Sequence, residues 1–71
     1  MKKVIILLPV YNDWESLSKV LEEINSVISN IQKYEFECII VNDSSTIKKP
    51  EIIKPKNFKS LKIINMKENR G

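Results

Sequence analysis

Apolar residues fall into four groups along the chain, and the groups differ in period. Val4 to Val10 is a continuous apolar run, rich in β-branched residues and ended by Pro9 and a polar cluster. Such a run predicts a strand buried on both faces, as in a parallel sheet. Pro9 has no N–H for a ladder, so it belongs at the strand's end. From Trp14 onward the period changes. Leu17, Val20, Leu21, Ile24, Val27, Ile28 and Ile31 recur at threes and fours, and Lys19, Glu22, Glu23, Asn25 and Ser26 fill the other side. That is the stripe of an amphipathic helix. Asn12 and Asp13 both suit its N-cap, and Asn12 with Glu15 has capping-box spacing. Residues 30–34 end it.

Phe36 to Val41 predicts a second strand, followed by Asn42-Asp43-Ser44-Ser45. Strand, helix, strand in that order is a βαβ unit, with parallel strands and a right-handed crossover. Residues 46–60 are the least regular stretch. Pro50 and Pro55 argue against a long helix there and leave room for one short helical turn around Glu51-Ile52-Ile53. Leu61 to Met66 reads as a third strand, with residues 67–71 as its exit loop. The fold class is therefore α/β, with three parallel strands and one main helix. Ligands of open α/β sheets bind beyond the carboxyl ends of the strands. Three polar clusters fall at those ends: Tyr11-Asn12-Asp13, Asn42-Asp43-Ser44-Ser45 and Asn69-Arg70-Gly71.

Composition narrows the picture. The chain has 71 residues, one Cys and no His. A domain of this size buries roughly 60% of the surface that its unfolded chain exposes. Neither a disulfide nor a His/Cys metal site is available as a staple. A lone Cys38 fits a reducing compartment. No apolar run approaches the ~20 residues needed to span a bilayer. The opening Met1-Lys2-Lys3 and its short apolar run lack a cleavage site and lead into Asn12, Asp13 and Glu15, so they read as strand, not signal peptide.

The net charge of +3 hides an asymmetry. Residues 1–47 carry four Lys against seven acids, a balance of −3, and residues 48–71 carry seven Lys plus Arg70 against two acids, a balance of +6. Most of these lysines read as a solvated surface. A nucleic-acid role is disfavoured because Phe58 is the one aromatic in the basic half. The only Gly is Gly71, so dinucleotide-binding and P-loop fingerprints are both absent. No Ser sits in a nucleophile elbow with a His partner.

The clusters together carry a resemblance. Val4-Ile5-Ile6-Leu7-Leu8-Pro9-Val10-Tyr11-Asn12-Asp13 resembles the opening strand and Pro-x-Tyr-Asn turn of family 2 glycosyltransferases. Ile39-Ile40-Val41-Asn42-Asp43-Ser44-Ser45 is similar to the family's second motif, with Ser44 where the family carries Gly. Asn69-Arg70-Gly71 resembles the loop after the third strand. The resemblance covers essentially the whole chain. It implies a partial Rossmann-like GT-A half, in which residues 1–71 form the N-terminal nucleotide-binding part of a glycosyltransferase domain, truncated before the metal and catalytic motifs.

By the same resemblance the partner is a nucleoside-diphosphate sugar, whose sugar passes to an acceptor hydroxyl. Pro9 and Val10 would line the nucleotide pocket through backbone groups, Tyr11 would lie against the base, and Asp43 would accept from a base N–H. Asn69 and Arg70 would close the pocket. No residue here is expected to be catalytic or to bind metal. A divalent metal, Mg or Mn, is implied only for the full-length enzyme, as is a membrane-associated acceptor. A cytoplasmic location, including the cytoplasmic face of a membrane, is the expectation.

Other roles compete at each position. Tyr11 could pack on the helix, and Asp43 could bond its own turn. Asp13 reads better as a cap than as a ligand contact. Asn42, Ser44 and Ser45 read as turn formers. Arg70 suits a solvated loop as well as a phosphate. Trp14 and Cys38 read as packing residues. Rival functions are a non-catalytic nucleotide-binding module and an α/β fragment that self-associates through exposed sheet edges.

Overall fold

The computed structural model describes residues 2–43 and 50–66. They form strand β1 (Lys2–Val10), helix α1 (Trp14–Ile28), strand β2 (Tyr34–Asp43) and strand β3 (Ser60–Met66). The sheet order is β1-β2-β3, and both pairings are parallel. All three strands and the helix thus arise where the apolar periods place them. The strands run longer than the apolar runs, because β1 begins at Lys2 and β2 extends from Tyr34 to Asp43.

Register fixes the two faces. Val4 is level with Phe36, Ile6 with Cys38 and Leu8 with Ile40; Cys38 and Ile40 are in turn level with Leu61 and Ile63. Period-2 alternation puts all of these on one face. Against that face pack Leu17, Leu21, Ile24 and Ile28 of α1. Burying side chains of this size contributes about 1.5–3 kcal/mol each.

No described element covers the opposite face. Ile5 is 52% exposed and Leu7 63%. This corrects the expectation that β1 is buried on both faces. A continuous apolar run reports that both faces are apolar, and only one of them has α1 to cover it. The helix stripe is likewise narrower than its spacing suggests. Val20 and Val27 are exposed, and Ile31 lies past the helix end.

Local bonds set the helix ends. Asp13, not Asn12, is the N-cap: its carboxylate accepts from Ser16 N–H at 3.3 Å, and its carbonyl accepts from Leu17 N–H at 3.2 Å. The Asn12–Glu15 capping box is therefore not formed. Asn12 instead takes φ 63°, in the left-handed region that Asn tolerates better than most residues. Glu15 still sits in the first turn, where its charge favours the helix dipole. The helix closes at Ser29, whose N–H reaches Asn25 O at 3.2 Å.

The segment before β3 holds no helical turn at 51–53; its turn lies at Lys56–Asn57. Two bonds fasten it to α1. Asn57 N–H donates to Asn25 Oδ1 at 2.8 Å, and Asn57 Nδ2 donates to Asn25 O at 3.1 Å. Lys54 Nζ donates to the carbonyls of Pro55 and Phe58. These bonds seat Phe58, which is among the most buried side chains of the core.

Candidate functional site

The parallel register brings the carboxyl ends of the strands to one rim. Val10 is level with Asn42, Asn42 with Asn65, and Asp43 with Met66. Tyr11 follows Val10 directly, so Tyr11 and Asp43 stand at the ends of adjacent strands. Tyr11 is 58% exposed, and Asp43 is also exposed. Both are open to solvent, where a ligand could reach them.

A cleft of about 190 Å³ opens beside this rim, between the end of β1 and the first turns of α1. Pro9, Val10, Tyr11, Asp13 and Ser16 contribute to its wall. The Val10 side chain is buried in the core, so it serves the cleft mainly through its backbone. Asp13 is occupied by its cap. Asp43 does not line this cleft and stands on the neighbouring strand end. The structure thus places Pro9, Val10 and Tyr11 around one hollow and leaves Asp43 outside it, on the neighbouring strand end. Asn69 and Arg70, like Ser44 and Ser45, lie outside the described residues.

A larger cleft, of about 380 Å³, lies away from the rim between α1 and residues 51–55. Its wall includes Glu22 and Glu51 with only Lys54 in opposition. Two carboxylates repel a phosphate, so size alone does not make it the better nucleotide site.

One bond at the rim and one unmet donor in the core escaped sequence reasoning. Asn65, inside the third apolar run, accepts from Asn42 Nδ2 at 2.9 Å and ties the ends of β2 and β3 together. Its signal is an Asn inside a strand pattern, legible only once the register is known. Trp14, buried as expected, holds its indole Nε1–H without a hydrogen-bond partner among the described residues. Leaving such a donor unmet costs about 1–3 kcal/mol.

Cys38 is 1% exposed. Burial pushes its thiol above the ordinary value of 9.0, so it stays protonated and unreactive near neutral pH. It is a packing residue. Among the described residues no group of three or more His, Cys, Asp or Glu could hold a metal ion. The described residues thus offer no site that fits the divalent cation implied for the full enzyme. No helix among the described residues is long and apolar enough to cross a membrane.

A family model described as Glycosyl transferase family 2 matches residues 5–71. The chain belongs to this family. The match spans the three stretches, around Tyr11, Asp43 and Asn69, on which the sequence resemblance rests. For a family 2 glycosyltransferase chain, three parallel strands with a helix on one face are the expected partial α/β architecture. No curated protein and no solved structure matches the chain.

Proposed function

We propose that this chain is the donor-nucleotide wall of a transferase that moves a sugar from a nucleoside-diphosphate sugar to an acceptor hydroxyl. Family membership gives the transferase class. The observation that carries the finer reading is the parallel register, which sets Asp43 on the strand end next to that of Tyr11, and Tyr11 lines a cleft. An aromatic face takes a nucleobase by stacking, worth about 1–3 kcal/mol. An ionised carboxylate is acceptor-only and suits a base N–H. Pro9 and Val10 supply backbone at the base edge. Asn69 and Arg70 complete the pocket in this proposal.

The proposal gives the chain donor binding and no catalytic step. A divalent cation would serve the departing diphosphate, held by carboxylates other than those described. The acceptor hydroxyl would lose its proton to a base other than the described residues. Membrane association of the acceptor belongs to the same proposal.

Nucleotide titration tests it. UDP, GDP, ADP and CDP would be titrated against the isotope-labelled chain, following amide and Tyr ring signals. One nucleotide should bind better than the others and shift signals at residues 9–13 and 42–43. Tyr11→Ala should weaken that binding about tenfold or more, and Asp43→Ala should narrow the preference among bases. Shifts confined to the 51–55 cleft, or binding indifferent to both substitutions, would reject the site.

A further inference from the structure

The face of the sheet that α1 covers ends in a change of chemistry. Its successive levels between β2 and β3 are Cys38 with Leu61, Ile40 with Ile63, and then Asn42 with Asn65. Two apolar pairs give way to a pair of amides. Asn is depleted in strands, so two of them level with each other run against local preference. Departures of this kind gather at functional sites. Asn42 Nδ2 donates to Asn65 Oδ1 at 2.9 Å, a sound hydrogen-bond length. Burial does not demand the bond, since Asn42 is half-buried and Asn65 exposed.

The place of the bond matters more than its strength. Val10, Asn42 and Asn65 occupy one level across the three strands. The residues that follow them are Tyr11, Asp43 and Met66. Asp43 is the last residue of β2, and ladders open most readily at their ends. We infer that Asn42 and Asn65 are positioning residues of the donor rim: their bond locks the end of β2 to β3 and so fixes where the Asp43 carboxylate stands. This deepens the donor-nucleotide reading and rests on it.

The other end of the sheet is tied more loosely. There Lys3 pairs with Glu37 at 3.4 Å and Lys59 with Glu35 at 3.2 Å. Those cations ride on long side chains in water, and exposed ion pairs hold geometry weakly. Asn side chains are short and have fewer rotamers to freeze, so a bond between them fixes two strands more closely. The amide tie is also neutral. A carboxylate at either position would repel a diphosphate, and an ammonium would compete with the base for Asp43. Paired amides order the strand end without changing the charge of the rim.

Amide hydrogen exchange of the full chain without nucleotide tests the tie. Asn65→Ala should speed exchange at residues 41–43 and 64–66 about fivefold and leave Cys38 and Ile40 unchanged. Asn65→Asp keeps an acceptor for Asn42 Nδ2 and should exchange like the unaltered chain. Asn42→Asp combined with Asn65→Asp opposes two acceptors and should exchange at least as fast as Asn65→Ala. An equal rise at Cys38 and Ile40 in Asn65→Ala would make the bond a contributor to global stability and overturn the proposal. Unchanged exchange at the rim would overturn it too. Nucleotide titration then tests what the tie is for. Asn65→Ala should weaken the preferred nucleotide about threefold to fivefold. In an Asp43→Ala background the same substitution should cost nothing further, because a residue that acts through Asp43 has nothing left to position. Losses that simply add would overturn the proposal and leave the donor reading intact. No nucleotide binding by the unaltered chain would reject the donor reading, and the proposal with it.

Discussion

The two faces of the sheet are built from similar residues and meet opposite fates. Ile6, Cys38, Ile40 and Ile63 face α1 and form the core with Phe58. Ile5, Leu7, Val41 and Ile64 alternate with them along the same strands, yet Ile5, Leu7 and Ile64 remain exposed. Apolar character therefore does not decide burial here; the position of α1 does. Stability should be concentrated on one face, and the other should be nearly silent in folding while open to association.

Thiol chemistry gives the largest contrast between the faces. A cysteine placed at Leu7 should react with a disulfide reagent at the rate of a free thiol. Cys38 should react only through opening of the core, about 10²–10⁴ times more slowly for a stability of roughly 3–5 kcal/mol. Comparable rates would erase the distinction. The Cys38 thiol has a raised folded-state pKa, so its contribution to stability is fully present below its ordinary value of 9.0. That contribution is lost as pH rises through the folded-state value. Denaturant unfolding between pH 8 and pH 11 should show the decline, and its absence in Cys38→Ala would assign it.

Phe58→Ala removes a side chain from the covered side and should cost about 3–5 kcal/mol, enough to unfold much of a domain this small. Thermal melting reads it directly. Asn25→Ala removes the Oδ1 acceptor of the Asn57 N–H and keeps the backbone carbonyl that takes Asn57 Nδ2, and it should cost about 1–3 kcal/mol, since it leaves the Asn57 N–H unmet in a half-buried place. Leu7→Thr should change unfolding by no more than about 0.5 kcal/mol in dilute solution. A large loss there would mean that the bare face supports the fold after all.

Much of this was readable from residue order. The apolar runs and the helical stripe gave β1, α1, β2 and β3 because strand and helix periods differ strongly over these lengths. Parallel pairing followed from strand-helix-strand order. Pro9, Tyr11 and Asp43 were legible as rim residues because polar clusters follow each run. What escaped depends on contacts distant in sequence. Phe58 sits alone among Lys, Asn and Pro, so no period marks it as core. The Asn25–Asn57 latch joins residues 32 positions apart. The one-sided cover of β1 could not be read, because a strand with two apolar faces looks the same whether one or both are packed. Val27 fits the helical stripe by count and still faces water.

The register also governs how such a chain must assemble. Partners in β1 and β2 are always thirty-two positions apart, from Lys2 with Tyr34 to Val10 with Asn42. No hairpin exists among the described strands to start the sheet locally. Each ladder must close a long loop before its bonds return anything, which slows folding relative to a helical protein of equal size. α1, capped by Asp13 and built from neighbouring residues, is the one element able to form ahead of those closures. The passage from a chain with only its helix to one with a sheet is therefore the step at which newly made copies would be most open to capture by other strands.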